Sequence, residues 1–217
     1  MGDELVPSAA VVLLRAADPF EVLVVRRSAE MRFYAGAWVF PGGRIDPEER
    51  VGDPIASARV AAVREVREET RLIVEPDALR PLSRWTTPVE RPRRYRAWFF
   101  LSEHPGGEVQ VDGSEIHAHW WTTPAEALEA RERGELILPP PVFVTLSVLA
   151  QQPSLEAALA LTDAGPERYD PRVAPIDGGH ASLYEGDAGF LNGNGAVPGP
   201  RHRLWMTEAG WRYERSD

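Results

Sequence analysis

An α/β fold is what the sequence predicts, on three observations. Short runs rich in β-branched residues and leucine, bounded by Pro, Gly and Asp, recur through the first 121 positions. One long stretch with helical spacing interrupts them at 54–70, and further helical runs follow the prolines at 124 and 139–141. A chain of 217 residues with 43% hydrophobic residues can bury one sizeable core.

Each element has its own signal. Residues 9–15 and 21–27 read as a hairpin around Ala16-Ala17-Asp18-Pro19-Phe20, with Asp-Pro as the turn. Residues 38–40 extend into Pro41-Gly42-Gly43, a turn that no helix or central strand tolerates. Asp53 is an N-cap and Pro54 a first helical residue, after which Ile55, Ala58, Ala62 and Val66 keep helical spacing to Thr70. Residues 72–74, 82–87, 95–101 and 116–121 are strand candidates, and Pro124 opens a helix over 125–133 that Gly134 ends. Helices are expected again at 142–150 and 154–161. From Asp163 the chain turns to Gly, Pro, Asn and Asp, then HRLWMTEAGWRYER (202–215) returns as a hairpin. The Gly/Asn run at 186–199 lacks the strand-then-helix setting of a phosphate loop and reads as a mobile loop. Residues 1–162 are expected to form the main domain, with 163–217 an extension packing on it, because so short a segment without cysteine or metal buries too little by itself.

Composition narrows the chemistry. With no cysteine, disulfides, thiolate zinc sites and cysteine nucleophiles are excluded. With no lysine, so are a Walker-type phosphate loop and Schiff-base chemistry, and every basic side chain other than histidine is arginine. A net charge of -9 disfavours nucleic acid as a partner but allows a small anionic ligand held through a metal ion. No apolar run reaches membrane-spanning length, and the opening MGDELVPSAA lacks the basic-then-apolar order of a signal peptide, so a cytoplasmic protein without a membrane partner is expected.

The chemistry concentrates where the Pro-Gly-Gly turn precedes a helix dense in carboxylates. Residues three and four apart share a helix face, so Glu65, Glu68 and Glu69 converge on one patch. Such a patch is either a solvated acidic face or a ligand set for a hard cation such as Mg2+, which takes a few carboxylates together with waters and substrate phosphates. The glycine turn, the acidic loop after it and a later glutamate at the head of a strand favour the second.

These residues resemble the Nudix hydrolases, whose box reads G-x5-E-x7-R-E-U-x-E-E-x-G-U with U apolar. Gly43 and Glu49 match its first half; Arg64, Glu65, Val66, Glu68, Glu69 and Leu72 match its second. There are two departures. Fourteen residues separate Glu49 from Arg64 where the usual pattern has seven, an insertion expected in the loop just before Asp53. Arg71 stands where the box has glycine, which should cost on the order of 1 kcal/mol or alter the turn that ends the helix. Beyond the box, FYAGAWVFPGGRIDPEE, WTTPVERPRRYRAWFFL, DGSEIHAHWWTTPAEAL and GELILPPP look like the branch related to peroxisomal coenzyme A diphosphatases.

The resemblance implies an α/β/α sandwich around a mixed central sheet. It also implies hydrolysis of a diphosphate linkage with Mg2+ or Mn2+. Glu65 and Glu69 would bind the ion, helped by Glu68 and the carbonyl of Gly42, while Arg64 and Glu49 orient these carboxylates. Glu115 matches the glutamate outside the box that completes the metal site or activates water. Arg91, Arg93, Arg94 and Arg96 crowd the entry to a strand, where their forks would hold an extra phosphate such as one on an adenosine ribose, or simply make surface ion pairs. Trp85, Phe33 and Tyr34 are candidates for stacking on a base, against a role in the core. His117 and His119 alternate on the strand face of Glu115, where a histidine metal site is the lesser alternative. The expected partner is a small nucleotide substrate, coenzyme A or an acyl derivative first, with ADP-sugars, NAD(H) and dinucleoside polyphosphates next. A non-catalytic nucleotide sensor is the reading from another class, and a homodimer is left open.

Overall fold

The computed structural model describes residues 5–31 and 34–216. Strand β1 (Leu5–Arg15) turns at Asp18-Pro19 into β2 (Glu21–Arg27), pairing Leu14 with Val22 and Arg15 with Glu21. Val11, Val12, Leu13 and Leu14 are all fully buried, as expected of a strand covered on both faces. Short strands β3 (Trp38–Val39) and β4 (Gly42–Arg44) add to β2 and β1, so the glycine turn is built into the sheet. After helix α1 (Pro54–Thr70) come β5 (Arg80–Thr86) and β6 (Arg94–Glu103), an antiparallel pair. Strand β6 then lies parallel to β1 over ten pairs, from Leu5 with Arg94 to Leu14 with Glu103. Strand β7 (Ile116–Thr122) pairs antiparallel with β2.

Helices cover both faces of this mixed sheet. On one, Ala58, Ala61, Ala62 and Val66 of α1 pack on Val11, Leu13, Leu23, Val25 and Phe100. On the other, α2 (Pro124–Glu132), α3 (Pro140–Leu149) and α4 (Leu155–Ala160) pack on Val12, Leu14, Val22, Val24 and Phe99. The expected α/β/α layering is present, and none of the helices among the described residues is long and apolar enough to cross a membrane.

Residues 163–217 add one strand to the main sheet and a second sheet. Strand β8 (Glu167–Tyr169) pairs parallel with β5; β9 (Arg172–Ile176), β10 (Gly179–Leu183), β11 (His202–Thr207) and β12 (Gly210–Arg215) form an antiparallel meander. Tyr184, Leu204 and Met206 join the same apolar cluster as α3, and Arg131 of α2 lies 4.1 Å from the ring of Trp211.

Several expectations need correction. Residues 72–74 are not a strand: Leu72 and Val74 are buried singly, between the end of α1 and a turn of 3-10 helix at Pro76. The β9–β10 hairpin went unread although Asp177-Gly178 is a hairpin signal. Nor is the Gly/Asn run a free loop. Arg203 grips both oxygens of Asp187 at 2.6 Å and donates to the Gly195 carbonyl, while Asp187 also accepts from the His202 and Gly189 N–H groups. Burial opposes that charge, yet these donors together hold the Asp187 carboxyl below its usual range.

Arg71 takes the place of glycine by adopting its conformation. It caps α1 at φ 62, in the left-handed region, with its N–H on the Arg67 carbonyl at 3.0 Å. Replacing Arg71 with glycine should therefore raise unfolding free energy by about 0.5–1 kcal/mol in urea titration. A loss of stability would show that the arginine side chain contributes more than its backbone strain removes.

Candidate active site

The site begins where β4 passes close to α1. At 42 and 43 there is no room for a side chain: a Cβ on Gly42 would lie 2.3 Å from the Ala9 carbonyl oxygen, and one on Gly43 2.1 Å from a carboxylate oxygen of Glu65. The same closeness lets the Gly42 N–H donate to Glu69 Oε2 at 2.9 Å.

Helix α1 supplies the carboxylates. Asp53 accepts from the Ala56 N–H at 2.7 Å, and the Ser57 hydroxyl accepts from Val51 and donates to the Asp53 carbonyl. These caps make the fourteen residues after Glu49 into four of loop and the first ten of α1. The loop ahead of Asp53 holds only residues 50–52, too few for seven extra residues, and ten of the fourteen lie in the helix, with Ala58, Ala61 and Ala62 buried.

Arg64 ties loop and helix together. Its Nε and Nη2 donate to the two oxygens of Glu49 at 2.7 and 3.1 Å, and Nη1 donates to Glu65 at 2.8 Å and Glu68 at 3.1 Å. Nη2 also reaches the Arg44 carbonyl at 2.9 Å, next to the glycine turn. Hydrogen bonds from Arg64 hold the Glu49 carboxyl below its usual range against the effect of burial.

Glu65, Glu68, Glu69 and Glu115 line one cleft of about 210 Å³ with Arg64, Asp112 and Ser114. Burial raises the Glu65 pKa, Arg64 opposes this, and Glu68 and Glu115 add repulsion. Glu69 is only 4% exposed, and burial lifts its pKa from 4.5 to about 8 despite the Gly42 N–H and the charge of Arg27. The residues fit a hard divalent ion: the acidic donors are all oxygens, and one oxygen each of Glu65 and Glu69 accepts no hydrogen bond among the described residues. They do not close into a cage as placed. Among the described residues no three acidic or histidine side chains converge as a metal site, and Arg64 draws Glu65 and Glu68 toward itself.

Three contributors were missed in the sequence. Asp112 accepts from the Ile116 and Glu115 N–H groups at 2.8 and 3.1 Å and from the Ser114 hydroxyl, which fixes the turn that presents Glu115. Asp112-Gly113-Ser114 is an Asx-turn signal that was available. Ser114 also lines the cleft, and Arg27, at the end of β2, acts electrostatically on Glu69; nothing in its local sequence marked it.

The remaining candidates divide. Arg91 and Arg93 sit exposed on the turn after β5, with Arg94 and Arg96 on β6. By strand alternation with Trp98 and Phe100, Arg94 and Arg96 lie on the sheet face that α1 covers. Arg94 donates to the Thr87 carbonyl at 3.2 Å. The four arginines thus share a sheet end but do not line the acidic cleft. Trp85 is core, stacked on Tyr169 with centroids 3.9 Å apart, and so is no platform for a base. Phe33 lies outside the described residues. A register shift between Arg26 and Arg27 places a bulge at His117, which breaks the alternation expected of Glu115, His117 and His119; both histidines are exposed and outside the cleft lining.

A sheet between helices, a glycine turn against a carboxylate-bearing helix and an arginine fork together define a family. The NUDIX domain family model matches residues 4–139, well over half of the chain. The chain belongs to the Nudix family of hydrolases. It is 34% identical over 123 residues to the human acyl-coenzyme A diphosphatase NUDT19, covering 52% of this chain and 32% of that one. A nudix protein of Caenorhabditis elegans is 26% identical over 183 residues, 66% of this chain and 60% of its own. The chain therefore spans about a third to three fifths of the curated relatives it matches. A NUDIX hydrolase structure from Alicyclobacillus acidocaldarius superposes with a TM-score of 0.64 at 27% identity, over 73% of this chain and 96% of that one.

Two outcomes follow from the packing. Between pH 4.5 and 8 Glu69 holds its proton in the folded protein and loses it in the unfolded one, so metal-free stability falls as pH rises through that window. Glu69→Gln should therefore stabilise the chelated protein at pH 7, by up to about 3 kcal/mol in denaturant melts, with the gain fading toward pH 4.5. Gly43→Ala should push the Glu65 carboxylate aside, lowering divalent-ion affinity roughly 10–100-fold in titration calorimetry. If the ion binds unchanged, the close approach of Gly43 does not position Glu65.

Proposed function

We propose that residues 1–162 act as a metal-dependent diphosphatase, with 163–217 an extension on the same domain, that cleaves a nucleoside diphosphate linked to another moiety. The preferred substrate is coenzyme A or an acyl-coenzyme A, cut into two phosphorylated products. The observation that carries the reading is the cleft itself: four glutamates line one space, with Glu69 buried and no arginine hydrogen-bonded to it among the described residues. A surface ion-pair network would not bury a carboxylate in this state. Similarity to acyl-coenzyme A diphosphatases supports the substrate.

In this reading Glu65 and Glu69 hold Mg2+ or Mn2+, with Glu68, Glu115 and the Gly42 carbonyl as further oxygen donors. Such an ion neutralises charge on the attacking and leaving oxygens of a phosphorus centre. Arg64 orients Glu65 and Glu68 and fixes the loop through Glu49. Glu115, at the turn held by Asp112, lines the same cleft and in this reading orients a water. The arginines at 91, 93, 94 and 96 are left to hold a phosphate on the ribose.

A product assay tests this with Mg2+ or Mn2+ across coenzyme A, acetyl-coenzyme A, NADH, ADP-ribose and diadenosine polyphosphates, with chelator controls. Coenzyme A should yield 4′-phosphopantetheine and adenosine 3′,5′-bisphosphate, and Glu69→Gln should abolish turnover. Arg96→Ala should weaken coenzyme A more than its 3′-dephospho form. Another substrate winning would leave only the diphosphatase reading, and no turnover at all would favour the nucleotide sensor.

A further inference from the structure

The segment between β10 and β11 carries one reactive dipeptide twice, as Asn192-Gly193 and Asn194-Gly195, and the fold treats the two copies differently. In an Asn-Gly pair the glycine nitrogen can reach the asparagine side-chain carbon, because glycine has no Cβ to crowd the approach. The attack needs an asparagine side chain free to turn and a backbone free to follow it.

Asn194 has neither freedom. Its N–H donates to the Gly189 carbonyl at 3.1 Å, and its own carbonyl accepts from the Val197 N–H at 3.4 Å. Its Oδ1 accepts from the Ala196 N–H at 2.9 Å, an Asx turn that fixes the side chain. The main chain is equally confined: a Cβ on Gly189 would stand 2.0 Å from the Asn194 carbonyl oxygen. Gly195 is buried, and its carbonyl accepts at 2.6 Å from Arg203, which ties the pair to the buried Asp187 carboxylate.

Asn192 escapes these restraints. It is exposed, beside a Leu191 that is 79% exposed, and among the described residues neither its side chain nor its N–H makes a hydrogen bond. The attacking nitrogen, that of Gly193, is held only by a long contact of 3.4 Å to the Phe190 carbonyl.

We infer that Asn192 is a site of spontaneous deamidation in the folded protein, whereas Asn194, in the same dipeptide, is protected by the fold. The Gly193 nitrogen bonds to Asn192 Cγ, the Cγ–Nδ2 bond breaks, and Nδ2 leaves as ammonia with the proton that the glycine nitrogen gives up. Water then opens the cyclic imide at either carbonyl, leaving aspartate or isoaspartate, with no change of oxidation state. Each conversion adds a negative charge to a turn that Arg172 anchors through the Leu191 carbonyl at 3.0 Å.

The test ages the full chain in warm, mildly alkaline buffer, with a parallel sample unfolded in urea, and follows both asparagines by peptide mass spectrometry. Each site's rate is compared with its own rate in urea, which removes any difference in local sequence. Asn192 should convert in the folded protein within about tenfold of its urea rate, while Asn194, which must first open locally, should be slowed at least about tenfold more than Asn192. Asn192→Gln should abolish the fast conversion and leave the slow rate at Asn194 unchanged. A smaller difference between the two sites would overturn the inference, as would an Asn192 that stays intact while the urea sample converts. Fast conversion that persists in Asn192→Gln would place the reactive amide elsewhere and overturn it too.

Discussion

Arg64 is the constraint on which the site depends. One guanidinium engages Glu49 in the loop, Glu65 and Glu68 on the helix and the Arg44 carbonyl beside the glycine turn. The glycine turn, the loop after it and the helix, all within residues 44–68, are held together by a planar group whose donor directions are fixed. Lysine, a point charge on a flexible stem, could neutralise one carboxylate but not orient three. The ion pair is partly exposed, so its contribution to global stability is modest; what it fixes is direction.

Around that fork the fold accepts unfavourable local states. Glu69 is buried beside Glu65 and Glu115, and Gly42 and Gly43 give up side-chain packing so that β4 and α1 can touch. Elsewhere the protein is conventional, with continuous apolar clusters on both sheet faces. The tension is localised where a ligand would relieve it, which is the pattern expected of a functional site on a stable scaffold.

Much of this was legible in the sequence because local chemistry and tertiary structure agree. Asp53 and Pro54 start α1 in the structure as their types dictate, and the glutamate spacing puts Glu65, Glu68 and Glu69 along one cleft. The errors have equally specific causes. The bulge at His117 is a two-strand event that no single-strand alternation can announce. The buried pair of Asp187 and Arg203 joins positions sixteen apart, and without it the Gly/Asn run reads as free loop. Arg27 acts on Glu69 because α1 packs on the side of β2 that carries Leu23 and Val25, a tertiary contact that periodicity does not reveal. Residues 72–74 looked like a strand because the run is short and apolar, yet they pair with no strand among the described residues.

The central place of β1 has a consequence for how the chain is made. Its apolar run is flanked on one side by β2 and β4, which follow within some forty residues, but its other edge waits for β6, roughly ninety residues further along. A nascent chain therefore carries an open, hydrophobic strand edge until residue 103 is available to close it. Slowed or truncated synthesis before that point should leave this segment as the region most exposed to self-association, whereas the C-terminal meander, whose strands pair with their nearest neighbours, closes almost as soon as it emerges.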